Sequence, residues 1–454
     1  MAVAAAAAAK DADSANLAAV SIEAPIVASH NKYLDDQTTA IRARTIAWEG
    51  YQRASLITED ELAQIRQFER LPDLKEAGER YMELFVNLLQ KLVRADTIQN
   101  ILVLIDDVLA ASDQNVNALF ALADKKADAS LPYGPFLKLL KKDDEYIQLK
   151  SAKIVTYLLL RAPPAHAGAD ISELLVWITA QLQNPNSAVV DIAVQYLQSI
   201  LSIPSTRLKF YQTPGGVQNL VDILKKGSPN AQMQYQVINI LWLLTLIRDI
   251  AADLQRKFDV VPLLIDIAKG AIKEKVTRVV IATLKNMVSK APQENMAAMI
   301  GNKLLNTCET LAARKWSDED ILEDLTYLKE EMAKNVANLS TWEEYDAEVR
   351  SGKLEWSPSH LSEQFWKQNA NKLCERDYEL LRLLSRIVAT SKSSLVLAVA
   401  AHDIGQFVKH ATNGKRALEE IGAKTQVMQL MTNDDPDVRY QALLAVQKIM
   451  AYHS

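Results

Sequence analysis

The segment Asp437-Val-Arg-Tyr-Gln-Ala-Leu-Leu-Ala-Val-Gln-Lys-Ile449 carries the clearest indication of the fold. It places apolar or small residues at Val438, Ala442, Val446 and Ile449, at offsets of 0, 4, 8 and 11 residues. These offsets follow one face of an α-helix, so the segment predicts a helix with one buried apolar face.

The same spacing recurs along the chain. Further copies begin at Ile147, Val189, Met233, Val276 and Val396, and a weaker copy begins at Thr97. The copies that start at 147, 189, 233 and 276 are separated by 42, 44 and 43 residues, and the interval from 396 to 438 is again 42 residues. Periods of about 40–47 residues are typical of armadillo and HEAT arrays. We therefore predict an all-α, armadillo/HEAT-type helical repeat superhelix, with three degenerate repeats between 276 and 396.

The composition supports this prediction. The chain has 454 residues, of which only 13 are glycine and 14 are proline. Because glycine and proline interrupt helices, their scarcity favours helix. The formal net charge of −5 is spread along the chain, which argues against a nucleic-acid partner because phosphate binding needs a concentrated basic face.

Cysteine usage and hydropathy indicate a cytosolic protein. Cys308 and Cys374 are the two cysteines, and they form no CxxC pair, so no disulfide framework is expected. The longest apolar stretch, from Ile238 to Ile247, spans ten residues, which is about half of what a bilayer crossing needs. We predict no direct membrane insertion.

Two zones interrupt the repeat and suggest boundaries. Residues 1–30 are rich in alanine and lack capping residues, which predicts a low-complexity, mobile tail. From residue 315 to about residue 360 the chain is acidic and rich in aromatic residues. We predict an N-terminal solenoid over residues 31–334, a hinge over 335–348 and a C-terminal helical-repeat domain over 349–454. The acidic run Asp318-Glu-Asp320 is interpreted as a solvated face in preference to a docking site.

Motifs for catalysis, cofactors and metals are missing from the sequence. The nearest approach to a phosphate-binding loop is Gly414-Lys415, where Arg416 stands in place of the required serine or threonine. The six histidines form no HExxH motif and no cluster with metal-ligand spacing. His402-Asp403 is interpreted as a packing or surface pair. We therefore predict no catalytic residue, no cofactor and no metal.

Two groups of residues are candidates for partner binding. The first is aromatic and contains Trp356, His360 and Trp366, for which a helix that caps the second solenoid is the favoured alternative. The second is the polar segment between two predicted helices, and loops of this kind vary without disturbing a core. Its residues are Thr390, Ser391, Lys392, Ser393 and Ser394. A plain connector is the alternative for this segment.

Several motifs in the C-terminal quarter carry a family resemblance. They include Trp356-Ser-Pro358, Phe365-Trp366, Leu397-Ala-Val-Ala-Ala-His-Asp403 and Ala442-Leu-Leu-Ala-Val-Gln-Lys448. In this combination they closely resemble the C-terminal domain of the H subunit family of the vacuolar-type proton-pumping ATPase (V-ATPase). The preceding solenoid is similar to the N-terminal domain of that family, so the resemblance covers roughly residues 30–454.

The resemblance implies a non-catalytic regulatory subunit in proton transport, peripheral on the cytosolic face of vacuolar and other endomembranes. It implies that the N-terminal solenoid engages the peripheral stalk, made by the E and G subunits. The C-terminal domain would contact the cytoplasmic domain of the membrane-embedded a subunit. When the soluble sector separates, that domain would restrain the rotor and catalytic subunits and stop ATP hydrolysis.

Two other functions have weaker support in the sequence. An importin-α-like adaptor that binds peptide segments needs a ladder of tryptophan and asparagine four residues apart on successive helices. Here Trp242 is followed at that distance by Leu246, and Asn286 is preceded by Ala282, so the ladder is missing. A helical enzyme with an unfamiliar site has no supporting group of residues.

Overall fold

The computed structural model describes residues 31–75, 77–126, 128, 130–226, 230–339 and 342–451. The tail predicted over residues 1–30 lies outside the described residues. Every regular element in the described ranges is a helix, which confirms the all-α prediction. The described part of the chain divides into two compact units, with the boundary between Ile250 and Ala251.

The first unit contains thirteen α-helices within the described ranges. They are α1 (Lys32–Arg42), α2 (Trp48–Arg53), α3 (Glu59–Phe68), α4 (Gly78–Lys91), α5 (Ala95–Ala111), α6 (Asp113–Lys126), α7 (Gly134–Leu139), α8 (Glu145–Leu160), α9 (Ser172–Gln181), α10 (Ser187–Leu201), α11 (Pro204–Gln212), α12 (Gly216–Lys225) and α13 (Ala231–Thr245). Helix α14 (Arg248–Phe258) spans the boundary between the units.

The second unit is also built from α-helices. Its α-helices in the described ranges are α15 (Val260–Gly270), α16 (Glu274–Lys290), α17 (Pro292–Gly301), α18 (Leu304–Ala312), α19 (Glu319–Leu339), α20 (Trp342–Ser351), α21 (Pro358–Leu361), α22 (Glu363–Asn369), α23 (Glu375–Thr390), α24 (Ser394–His410), α25 (Gly414–Glu420), α26 (Ala423–Gln429) and α27 (Pro436–Ala451).

The repeated spacing corresponds to one helix of each repeat. In every copy the helix begins two residues before the first residue of the pattern. The helices are α5, α8, α10, α13, α16, α24 and α27. Within each unit neighbouring helices of this set pack side by side, α8 on α10, α10 on α13 and α24 on α27, and α16 packs on α19. The apolar face that the pattern predicts is therefore part of the core that stacked repeats share.

Buried asparagines connect neighbouring repeats inside each unit. The Nδ2 group of Asn115 donates a hydrogen bond to the carbonyl oxygen of Leu74 at 2.8 Å. Equivalent bonds run from Asn219 to the carbonyl of Thr179 at 3.0 Å and from Asn295 to the carbonyl of Ala251 at 3.0 Å. A buried carbonyl without a partner is costly, so these amides stabilise the register between successive repeats.

The interval between 276 and 396 differs from the prediction of three degenerate repeats. Helix α19 begins 45 residues after α16 and packs against it, so the regular array continues through Leu339. Short helices α20 to α22 and the longer α23 then follow. The interval holds one regular unit and an irregular segment, in which the bulky residues Tyr345, Phe365 and Trp366 pack into the core shared with α24 and α27.

The predicted hinge lies partly inside helices. Residues 335–339 end α19, and residues 342–348 belong to α20. Tyr345 is fully buried in the core of the second unit, so the last residues of the predicted hinge are held in that core. The hinge and the domain boundaries stay a prediction.

Candidate interaction site

The polar segment 390–394 connects α23 to α24. Its backbone is fixed by local hydrogen bonds, because the Ser393 side chain accepts from the backbone N–H of Val396 at 3.5 Å and caps α24. The backbone N–H of Ser393 donates to the Ser391 hydroxyl at 3.2 Å. Thr390 ends α23, and its hydroxyl donates to the Arg386 carbonyl at 2.8 Å. The serines and the threonine thus have a structural role.

The side chain of Lys392 is exposed at the tip of this segment, and Ser394 is the first residue of α24. Ser394 lies beside Asp435, the residue just before α27, and helps to lower the pKa of that carboxyl. The segment therefore adjoins the beginning of α27.

Trp356 is half-buried beside this core. Its ring meets the His402 ring edge-on, with the centroids 5.2 Å apart. The Lys303 ammonium lies 6.0 Å from the centroid of the same ring, which is a cation–π arrangement. Only part of the Trp356 side chain is available to a partner.

His360 and Trp366 do not lie on the surface. Both side chains are fully buried, and the Trp366 indole N–H donates to the His360 carbonyl at 2.9 Å. Tyr345 packs edge-on against Trp366 with 5.5 Å between the centroids. A partner cannot contact either residue in this conformation, so we assign both to the core and keep Trp356 as the aromatic candidate.

A buried polar network that was not predicted from the sequence surrounds His360. The Nδ1 atom of His360 lies 2.7 Å from Asp403 Oδ2, and the Tyr345 hydroxyl donates to the same oxygen at 3.2 Å. The Nε2 atom lies 3.1 Å from Glu348 Oε1, an ion-pair contact at an angle outside hydrogen-bond geometry. The Ser357 hydroxyl donates to the other Glu348 oxygen at 2.9 Å. The network thereby ties α20 and α21 to α24.

A signal for this network was present in the sequence. Asp403 stands beside Ile404 on the apolar side of its helix, and a buried carboxylate needs a partner. His402 is the partner that the local sequence suggests, and His402 Nδ1 does lie 3.4 Å from Asp403. The shorter contact comes from His360, which is 43 residues away in sequence.

The charges in the network reinforce one another. Burial by itself lowers the pKa of His360, but Asp403 and Glu348 outweigh burial and raise the pKa to about 9. Burial raises the pKa of Asp403, and His360 outweighs burial, so the net shift is downward. At neutral pH the network is therefore an imidazolium between two carboxylates.

This arrangement predicts that the second unit loses stability in mild alkali. The His360 pKa is raised from 6.5 to about 9, so its stabilisation is complete below pH 6.5 and is lost as the pH rises through about 9. Between about pH 7.5 and 9.5 the free energy of unfolding should fall by about 2 kcal/mol from this group. Urea denaturation at several pH values measures the fall. A His360→Gln variant should lack this contribution, and an equal fall in that variant would contradict the assignment.

The acidic run at the start of α19 is bound within the chain. The Arg278 guanidinium on α16 contacts Asp318 at 3.2 Å, Asp320 at 2.8 Å and Asp324 at 2.7 Å. Asp324 is almost fully buried and also contacts Lys285. Asp318 and Asp320 remain 41% and 45% exposed, so the run is still a solvated face, and its pairing with Arg278 helps to join α16 to α19.

Gly414 has a packing role. A Cβ atom there would lie 2.9 Å from the Cα atom of Val408, so only glycine allows α25 to approach α24 this closely. No group of three or more His, Cys, Asp or Glu residues in the described ranges is placed to hold a metal ion. No helix that the structure describes is long and apolar enough to cross a membrane.

Together, the stacked helices and the surface loops between them define a helical-repeat protein of the armadillo class. One solved structure that this chain matches is an engineered protein with a TM-score of 0.49 and 16% identity, covering 96% of this chain and 98% of that one. Another is a designed armadillo repeat protein in complex with the peptide (KR)4, with a TM-score of 0.31 and 14% identity, covering 61% of this chain and 99% of that one.

Two family models match the chain, and both describe the V-ATPase H subunit. They cover residues 32–332 and residues 338–453. The V-type proton ATPase H subunit of Drosophila melanogaster is 37% identical over 427 residues, covering 92% of this chain and 90% of that protein. The probable V-type proton ATPase H subunit of Oryza sativa subsp. japonica is 33% identical, covering 91% and 96%. This chain belongs to the V-ATPase H subunit family.

Proposed function

We propose that this chain is a non-catalytic regulatory subunit of the vacuolar-type proton-transporting ATPase. It bridges the soluble ATP-hydrolysing sector and the membrane proton channel on the cytosolic face, and it is needed for coupled activity. The observation that carries the proposal is the match of both parts of the chain, in order, to the H subunit family. The absence of a phosphate-binding loop from the sequence supports assigning ATP hydrolysis to other subunits.

Each of the two parts of the chain is proposed to bind its own partners. The N-terminal solenoid contacts the E and G subunits of the peripheral stalk, since stacked repeats offer a long surface for an extended partner. The C-terminal domain contacts the cytoplasmic domain of the membrane-embedded a subunit in the assembled pump. When the sectors separate, it restrains the rotor and catalytic subunits, and ATP hydrolysis stops.

Co-purification tests this proposal directly. The full chain with an affinity tag is expressed in cells that lack the untagged chain, and the captured proteins are identified by mass spectrometry. The proposal expects subunits of both the soluble sector and the membrane sector. Capture of neither sector would overturn it.

The segment 390–394 is proposed as one contact for restraint of the soluble sector. Its backbone is locally ordered and Lys392 is exposed, so the segment presents one cation at a defined position.

We expect a glycine-serine replacement of 390–394 that keeps serine at position 393 to leave thermal stability nearly unchanged, because the N-cap of α24 is retained and the segment contributes no side chain to the core. ATP hydrolysis by the detached soluble sector should rise when the replaced chain is added in place of the original. A Lys392→Ala variant shows how much of the rise depends on the charge. If the replaced chain inhibits as well as the original, the segment is a connector and the contact lies elsewhere.

A further inference from the structure

The outward face of α27 carries three exposed apolar or aromatic side chains. Tyr440 is 57% exposed, Leu443 52% and Met450 59%, and these three residues, which we term the terminal stripe, lie along one side of the helix. The opposite side carries Val438, Ala442, Ala445 and Ile449, which are buried in the core of the second unit. Helix α27 is thus apolar on two opposite faces, a pattern normally found in helices that are covered on both sides.

The repeat register shows what the terminal stripe corresponds to. Leu443 and Met450 stand five and twelve residues after Val438, the first residue of the pattern in α27. At the same two positions in α8, α10, α16 and α24 every residue is at most 8% exposed. These residues are Ala152 and Leu159, Val194 and Leu201, Ile281 and Val288, and Ala401 and Val408.

A further helix packs alongside each of those four helices. Helix α10 packs on α8, α13 on α10, α19 on α16 and α27 on α24. The closeness of the last pair is shown by Gly405 of α24, where a Cβ atom would lie 2.9 Å from the Cα atom of Ala445. The terminal stripe therefore corresponds to the face on which the next helix packs in other repeats. An α-helix is the kind of element that covers such a face.

We propose that the terminal stripe docks an amphipathic α-helix from another subunit of the proton pump, stacked on α27 as a next repeat helix would be. This inference rests on the proposed function and adds to it a second surface and the chemistry of the partner. The docked helix carries apolar residues at a spacing of three and four, and these residues cover Tyr440, Leu443 and Met450. Helix α27 packs along α24, whose first residue, Ser394, ends the segment 390–394.

A dimer of this chain through the terminal stripe explains the exposed apolar side chains less well than a docked helix does. The three side chains offer about 300 Å² of exposed surface, whereas each partner in a stable interface contributes roughly 800 Å². A partner that also contacts the neighbouring segment 390–394 reaches a larger area.

The test compares two double variants of the full chain. Leu443→Lys with Met450→Lys places two charges in the terminal stripe. Leu208→Lys with Val176→Lys is the matched control, because those residues are 46% and 58% exposed and lie in the first unit. Both variants should fold with unchanged circular dichroism and thermal midpoint, because exposed side chains are replaced. The stripe variant should bind the detached soluble sector or the assembled pump at least about tenfold more weakly than the control.

The outcomes separate this inference from the proposed function. If the unaltered chain fails to co-purify with the pump, the proposed function fails and the inference fails with it. If the unaltered chain co-purifies and the stripe variant binds as tightly as the control, the inference alone is overturned. A photo-crosslinking amino acid at position 440 should join a helical segment of another protein of the pump. Crosslinks only to a second copy, or only to residues 1–30, would overturn the assigned occupant.

Discussion

Asp403→Asn should destabilise the second unit by about 3–5 kcal/mol, because the variant removes one charge from a buried ion pair. Asp403 is fully buried and receives contacts from His360 at 2.7 Å and from the Tyr345 hydroxyl at 3.2 Å. Its loss leaves the imidazolium with only the Glu348 contact in a site without solvent. Urea denaturation followed by circular dichroism measures the change in the free energy of unfolding.

The matched control is Asp346→Asn on α20. Asp346 also pairs with a cation, Arg350, at 2.8 Å, but both side chains are about a third exposed. An exposed pair of this kind contributes roughly 0–1 kcal/mol. If the two variants lose similar amounts of stability, the buried network is not a main source of stability in the second unit.

Phe407→Ala should also cost about 3–5 kcal/mol, because a fully buried ring is replaced by a methyl group and leaves a cavity. Phe407 lies on the inner face of α24 within the main apolar cluster of the second unit. The thermal midpoint and the urea midpoint of the full chain measure this loss. Inhibition of the detached soluble sector should fall in parallel with the folded fraction.

Tyr440→Ala is the aromatic control for Phe407→Ala. The Tyr440 side chain is more than half exposed, so its truncation should change the free energy of unfolding by no more than about 0.5 kcal/mol. A cost for Phe407→Ala below about 1 kcal/mol would show that the core around α24 can collapse around the missing ring.

These variants distinguish two ways of losing function. Asp403→Asn and Phe407→Ala act through unfolding, so a loss of binding should follow the loss of structure. The replacement of 390–394 and the lysine variants of the terminal stripe leave the core intact. A loss of binding or inhibition in those variants therefore reports on the contact surface itself.

The repeat could be predicted because its physical basis is local. Apolar residues at offsets of 0, 4, 8 and 11 share one face of a helix, whatever else surrounds them. Each of the seven helices identified in this way begins two residues before the first residue of its pattern. The irregular segment between 342 and 390 was harder to predict, because its short helices are held by aromatic packing and not by a repeated spacing.

Burial distinguishes the partner-binding candidates that a partner can reach from those in the core. The residue types alone do not show which candidates are buried. Trp356 and Trp366 are the same residue type, only ten positions apart, yet one is half-buried and the other is fully buried. A tryptophan suits a core and an interface equally well. Which of the two roles applies depends on the helices that pack around each ring.

Periodicity alone identifies the helices, their inner faces and the helical-repeat class of this protein, since these depend on residues within one or two turns of each other. Two features depend on tertiary structure. One is the pairing of His360 with Asp403, which joins residues 43 positions apart. The other is the exposure of Leu443 and Met450, whose counterparts in other repeats are covered. A pattern along one helix specifies which faces are apolar, but the neighbour that covers each face is set by how the helices stack.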